Sequence, residues 1–226
     1  MAETQAPPPS DRVRLRRYRN RGSYEREQID AILDEALVAH LGIVDADGQP
    51  FVLPTMHARL GDIVYCHGSA AGRTLKVLGS GAGVCLTVTL LDGIVFARAV
   101  ANHGGNYRSV VILGEGRLVT DRDEKLRALE AVVEHITPGR WLEARRPTEN
   151  ELRETSVVAL GLEEASAKIR SGPPGDDDAD YALDVWAGVV PVHEAFGAPQ
   201  GCPRLASGIA VPPGVADYSR APRPRT

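Results

Sequence analysis

The run Val84-Cys85-Leu86-Thr87-Val88-Thr89-Leu90-Leu91-Asp92-Gly93-Ile94-Val95-Phe96-Ala97-Arg98-Ala99-Val100-Ala101 decides the fold class. It is rich in β-branched and apolar residues and is punctuated by Asp-Gly, a favoured pair for two-residue hairpin turns. The expectation is strand Val84–Leu91, turn Asp92-Gly93, strand Ile94–Ala101. Upstream, Leu41–Asp45, Phe51–Ala58 and Ile63–His67 are short apolar runs, with Asp47-Gly48 and Gly61-Asp62 marking the reversals between them. Tyr107–Thr120, Val157–Leu162, Ala165–Arg170 and Ala182–Val192 read as further strands. Strands joined by tight turns pair antiparallel. The βαβα alternation of a doubly wound sheet is missing. The pattern predicts a mainly β protein, an antiparallel barrel with peripheral helices.

The helices are few. Ile29, Ile32, Leu33, Ala36 and Leu37 recur at helical spacing between Tyr24 and Ala39, with Ser23 as the expected N-cap. A brief helical stretch is expected over Ala70–Leu78. Asp121 to Glu124 fits a capping box. The helix behind it places Leu126, Leu129, Val132, Val133 and Ile136 on one face and stops at Pro138-Gly139. Thr148 to Glu151 repeats the capping signature. The chain divides into an arm over residues 1–22, a domain over 23–196 and a Gly/Pro-rich tail over 197–226. Arg12, Arg14, Arg16, Arg17, Arg19 and Arg21 crowd the arm. They read either as an anion-binding arm, for a phosphate or RNA, or as a solvated leader laid across the domain or a neighbouring subunit.

A formal net charge of −4 over 226 residues argues against whole-protein binding to nucleic acid or anionic membranes. No run approaches the ~18 uninterrupted apolar residues of a membrane span. The N-terminus lacks the apolar core of a signal peptide, and three widely spaced cysteines make no disulfide framework, so a cytoplasmic protein is expected.

Gly79-Ser80-Gly81-Ala82-Gly83 follows a helix and precedes a strand, the reverse of the Rossmann and P-loop contexts, and reads as a helix-ending turn. Cys66 and His67 are adjacent, but strand neighbours point to opposite faces, which disfavours a thiol–imidazole dyad. His57, His67, Cys66 and Cys85 lack the close paired spacing of a zinc site, so no metal centre is expected. Tyr65 to Lys76 is more suggestive. A strand ends, small residues clear space, and a helix starts beside Ser69 and Arg73, offering N–H groups, a hydroxyl and a guanidinium to a phosphate. A capped helix with a surface arginine would look the same.

His67-Gly68-Ser69 with Gly72-Arg73, the strand Val84 to Thr89, Asp92-Gly93 and Asn106-Tyr107-Arg108-Ser109-Val110 follow in a familiar order. Pro138-Gly139-Arg140, Glu164 to Lys168 and Trp186 to Val189 continue it. Together they resemble the pyridoxamine 5′-phosphate oxidase-like flavoproteins, in the nitroimidazole-reductase-related branch, from about Arg17 to Val192. The resemblance implies a split β-barrel, a homodimer with FMN at the subunit interface, and an FMN-dependent oxidoreductase acting on a small organic substrate, a nitroaromatic among the candidates. It implies that Ser69 and Arg73 hold the FMN phosphate with Lys76 as helper. Pro54, Thr55, Met56, Tyr65 and Cys66 would line the flavin. Asn106, Arg108 and Ser109 would close the pocket, and Trp186 could stack on the ring or sit in the core. Thr74 stands where pyridoxamine phosphate oxidases proper carry Lys, and Asn102-His103-Gly104 departs from the branch's two-histidine pattern. His67 is the candidate catalytic residue, titrating near neutrality as a proton donor or orienting a substrate. Two alternatives remain: the same barrel using deazaflavin or haem, with His67 or His103 as axial ligand, or a non-catalytic flavin-binding module.

Overall fold

A computed structural model of the chain describes residues 6–72, 77–78 and 83–219. Ten strands form one antiparallel sheet: β1 (Gly22–Ser23), β2 (Val38–Val44), β3 (Pro50–Leu60), β4 (Ile63–Ser69), β5 (Gly83–Phe96), β6 (Gly104–Glu115), β7 (Arg117–Leu118), β8 (Thr155–Gly161), β9 (Ala165–Arg170) and β10 (Gly188–Pro191). Their order is β1-β9-β6-β5-β2-β3-β4-β8-β7, with β10 on β5. The sheet curls around a core without closing. β3 is the strand at the split: Pro50 to Met56 pair with β2, and His57 to Leu60 pair with β4. Inside lie Leu41, Ile43, Val64, Cys66, Leu86, Val88, Val110, Ile112, Val158 and Leu160. This is a split barrel, as expected.

Helix α1 (Arg26–Glu35) buries Ile29, Ile32 and Leu33. It starts later than expected, because Ser23 belongs to β1 and its Oγ accepts the Glu25 N–H at 3.2 Å; the N-cap position is Glu25, without a side-chain cap. Helix α2 (Arg122–Ile136) is N-capped by Asp121, which accepts the Glu124 N–H at 2.7 Å. The Glu124 carboxylate takes bonds from Arg117 and Tyr65. The short helices α3 (Arg140–Glu143) and α4 (Glu149–Glu154) follow, and the capping box expected at Thr148 and Glu151 is complete. His57 Nε2 bonds the Leu33 carbonyl at 3.0 Å, His135 Nε2 bonds that of Ala36 at 2.8 Å, and the two buried rings lie 5.3 Å apart. This pair fastens β3 and α2 to the end of α1.

Three strand expectations are corrected. Asp92-Gly93 is no hairpin turn: β5 runs through it, paired with β6 on both sides, with a bulge between Leu91 and Gly93. The inward set shifts from Val84, Leu86 and Val88 to Val95 and Ala97, the change of parity that one extra residue imposes. Of Ala182–Val192 only Gly188–Pro191 is strand, because β5 offers just Gly93 to Phe96 as partner beyond the bulge. Tyr107–Thr120 divides into β6 and β7.

The ends touch the domain. Val13 of the arm is buried and Arg12 pairs with Glu164 at 2.8 Å. In the tail, helix α5 (Pro213–Ala216) precedes Tyr218, whose hydroxyl donates to the Ile136 carbonyl at 2.5 Å and whose ring meets Phe196 edge-on. No helix among the described residues is long and apolar enough to cross a membrane.

Candidate functional site

The split gathers part of the expected site. β4 ends at Ser69, whose Oγ accepts the Ala71 N–H at 3.3 Å and whose carbonyl accepts the Gly72 N–H at 2.8 Å. A Cβ on Gly72 would lie 2.9 Å from the Ser69 carbonyl oxygen, so the turn needs glycine there. Arg73 and Lys76, the expected phosphate cations, lie outside the described residues, as do the middle of the expected helix Ala70–Leu78 and Gly79 to Ala82.

β4 presents its residues unequally. Cys66 is buried in the core, and burial pushes its thiol up to about 12, so it acts as a small apolar side chain. Tyr65 is buried against α2 and donates to Glu124 at 3.0 Å. Burial first, and that hydrogen bond second, raise its pKa. Arg117 holds Glu124 below the usual carboxylate range. Tyr65 and Cys66 are therefore absorbed by packing. His67 pairs with Val157 through its backbone, while its exposed ring has no hydrogen-bond partner among the described residues. Partial loss of hydration lowers its pKa, favouring the neutral imidazole near pH 7.

One step beyond the last β3–β4 pair, His57 with Cys66, the two strands part at Met56 and His67. Pro54 and Met56 are exposed, Thr55 is half-buried, and Thr55 Oγ1 donates to the Met56 carbonyl at 3.1 Å. Across β2 they adjoin Val38 and His40. The sequence reading missed His40 and Val38, although alternation along β2 signals both as outward.

β6 carries the second group. Arg108 binds Glu35 at the end of α1, with one contact of 2.7 Å, and Asp92 at the bulge at 2.7 and 3.0 Å. The bonds to Glu35 and then Asp92 raise its pKa. It fastens α1 to the bulge, so its donors are committed within the protein. Ser109 Oγ donates to the Lys168 carbonyl at 3.2 Å. Asn106 is buried; its Nδ2 donates to the Gly172 carbonyl at 3.0 Å, while its Oδ1 is a buried acceptor with no partner among the described residues. Of these three, Asn106 alone keeps an unused polar atom.

Trp186 is 69% exposed, so the core role is corrected. Its ring tilts on Phe96 at 5.9 Å, and Phe96 meets His103 edge-on at 6.0 Å. His103 Nδ1 lies 3.2 Å from the Ala99 carbonyl. Below them Asp176, from the acidic loop, accepts the N–H groups of Arg98 and Ala99 and the side chains of Arg98 and Asn102. Burial opposes this charge, yet the bonds prevail and its pKa is lowered.

These features have relatives. A family model described as pyridoxamine 5′-phosphate oxidase matches residues 25–169. The chain belongs to that family. Within the pyridoxamine 5′-phosphate oxidase-like fold, a flavin-binding fold, the chain is similar to the flavocytochrome Anf3 of Azotobacter vinelandii: 41% identity, 93% of this chain and 97% of that one, TM-score 0.89. It is also similar to a FAD and heme binding protein of Mycobacterium smegmatis: 37% identity, 86% and 95% covered, TM-score 0.82. A Bacteroides thetaiotaomicron protein assigned to 5-nitroimidazole antibiotic resistance shares the fold at 22% identity, covering 66% and 86%, TM-score 0.56. No curated protein matches.

Proposed function

We propose that this member of the pyridoxamine 5′-phosphate oxidase-like family is a redox protein that binds both a flavin and haem. The observation carrying this reading is near full-length similarity to two proteins described as a flavocytochrome and as a FAD and heme binding protein. The sequence resemblance implied FMN; the second relative favours FAD.

The donor set fits both groups. Ser69, at a turn whose backbone folds tightly over Gly72, would hold a flavin phosphate with Arg73 and Lys76. The open edge Pro54 to Met56 offers an apolar border; the orphan Asn106 Oδ1, on β6 and three strands away, is a separate buried acceptor. An iron needs a neutral imidazole with a free ring nitrogen. His67 has this, and its lowered pKa makes it a better ligand than acid at neutral pH. His103 is the second candidate: its Nδ1 lies on a carbonyl, the arrangement that orients metal-bound histidines, and Phe96 and Trp186 supply an apolar wall. A bound flavin would supply one- and two-electron transfer and haem one-electron transfer. The residues position these groups and shield them. A small organic molecule, with nitroaromatics as the first class to screen, would accept or donate the electrons.

A second copy would complete the site. The outward face of β2 and β3 leaves Val38, Val44, Val52 and Met56 exposed.

The visible spectrum of the purified protein tests the reading. Flavin bands and a Soret band together are expected, with chromatography of the released flavin separating FAD from FMN. Arg73→Ala should lose the flavin bands, and His67→Ala or His103→Ala should shift or abolish the Soret band. A protein that takes up neither chromophore would overturn the proposal.

A further inference from the structure

The basic arm is not used by the flavin and haem reading, and its geometry is specific. The Arg21 guanidinium lies 4.3 Å from the centroid of the Tyr18 ring, that of Arg17 5.0 Å, and the Lys168 ammonium 6.0 Å. Arg17 Nη2 also donates to the Tyr18 hydroxyl at 3.4 Å. The ladder produces this meeting: Gly22, one residue after Arg21, pairs with Lys168 across β1 and β9.

Two observations set the cluster apart. Tyr18, 48% exposed, has φ 53°, the left-handed backbone that a bulky residue rarely adopts. A bond from the Arg21 N–H to its carbonyl at 3.0 Å holds it there. In addition, none of Arg17, Arg21 and Lys168 has a carboxylate partner among the described residues; Arg16 and Arg19 share that lack, but they do not gather on the Tyr18 ring, whereas Arg12 and Arg14 pair with Glu164 and Asp11. Cation–π attraction at an exposed ring is too weak to offset the mutual repulsion of three cations by itself. Three like charges drawn onto one ring therefore lack their counter-ion.

We propose that Tyr18, Arg17, Arg21 and Lys168 form a binding site for a diphosphate-bearing small molecule. Guanidinium forks match phosphate oxygens in pairs, and an ammonium adds a point charge. Three cations balance the two to three negative charges of a diphosphate. Nucleic acid is the poorer fit, since the patch is one corner of a chain with net charge −4 rather than an extended basic stripe. The diphosphate has two sources: a flavin dinucleotide held by this protein, or a separate nucleotide.

Calorimetry with inorganic pyrophosphate and with ADP, on the protein as purified and after flavin release, tests the site. Binding is expected to weaken with salt and to fall about tenfold in Arg21→Gln and in Lys168→Gln, while Arg12→Gln binds as wild type. Tyr18→Gly should weaken binding without lowering Tm, because it relieves the left-handed strain; a purely structural tyrosine would give the reverse. ADP binding that releases FAD, or that appears only after flavin release, and that is weakened in Arg21→Gln, assigns the site to the flavin's own diphosphate beyond the phosphate held at Ser69. Release that Arg21→Gln leaves unchanged belongs to the Ser69 turn and overturns the proposal. ADP binding that leaves the flavin in place assigns it to a separate nucleotide. Both assignments support the proposal, and neither needs haem. No binding by either preparation, unchanged affinity in Arg21→Gln, or single-stranded RNA binding that ADP does not compete with would overturn it.

Discussion

The dipeptide Asp-Gly occurs at 47–48 and at 92–93, and the two copies do opposite things. At Gly48 the backbone turns with φ 81°, and a Cβ there would meet nothing within 4 Å. The Gly48 N–H bonds the Asp45 carbonyl at 3.0 Å, while Asp45 Oδ1 accepts from Asp47 and Gln49, closing the β2–β3 connection. At Gly93 the strand continues. A Cβ there would lie 2.9 Å from Val189 Cγ1 and 3.3 Å from the Val190 carbonyl, where β10 crosses close. One glycine is used for its conformational range and the other for its size. The extra residue, Asp92, turns its carboxylate to Arg108. The same local propensity is resolved by what the neighbouring strands offer.

Substitutions can break this contrast, in descending order of effect. Gly93→Val should destabilise by about 3 kcal/mol, the upper end for overpacking, and loosen β10. Denaturant unfolding would read the loss, and hydrogen exchange at Val189 would read the local opening. Arg108→Met leaves Glu35 and Asp92 facing each other at the bulge. A loss of about 1–2 kcal/mol is expected, shrinking in 1 M salt because like-charge repulsion is screened. Unchanged stability at low salt would show that the bulge holds without its arginine. Gly48→Ala should lose about 1 kcal/mol, since only the backbone is strained. Gly48→Asn should stay within a few tenths, because asparagine tolerates φ > 0. Equal effects of alanine at positions 48 and 93 would dissolve the distinction.

The sequence carries the same contrast for a reader who tracks parity. Val84, Leu86 and Val88 are even-numbered and Val95 and Ala97 odd, a slip an uninterrupted strand makes only at a bulge. Turns that need a special backbone, at Gly48 and Gly61, are legible because the residue type is the requirement. Pairing length is not: Leu183, Val185 and Trp186 look like strand residues but lie beyond the reach of β5 and stay exposed. The site divides likewise. Ser69, Pro54 and Met56 stand where a strand pattern places them, whereas the partners of Tyr65, Arg108 and Ser109 come from distant segments, Glu124, Glu35 and Lys168. Spacing in sequence encodes direction along a strand and not the identity of a long-range partner.

The stretch of β3 that pairs with β2 alone has a consequence for self-association. Among the described residues, Pro50 to Met56 has one ladder partner, leaving an edge with Val52 66% exposed and Leu53 beside it. Such an edge is a template on which another chain can lengthen the sheet into an aggregate. Pro50 and Pro54 remove a backbone donor at each of two positions, four residues apart. An incoming strand meets gaps instead of a continuous row of N–H groups, so the barrel can stay split without seeding fibrils.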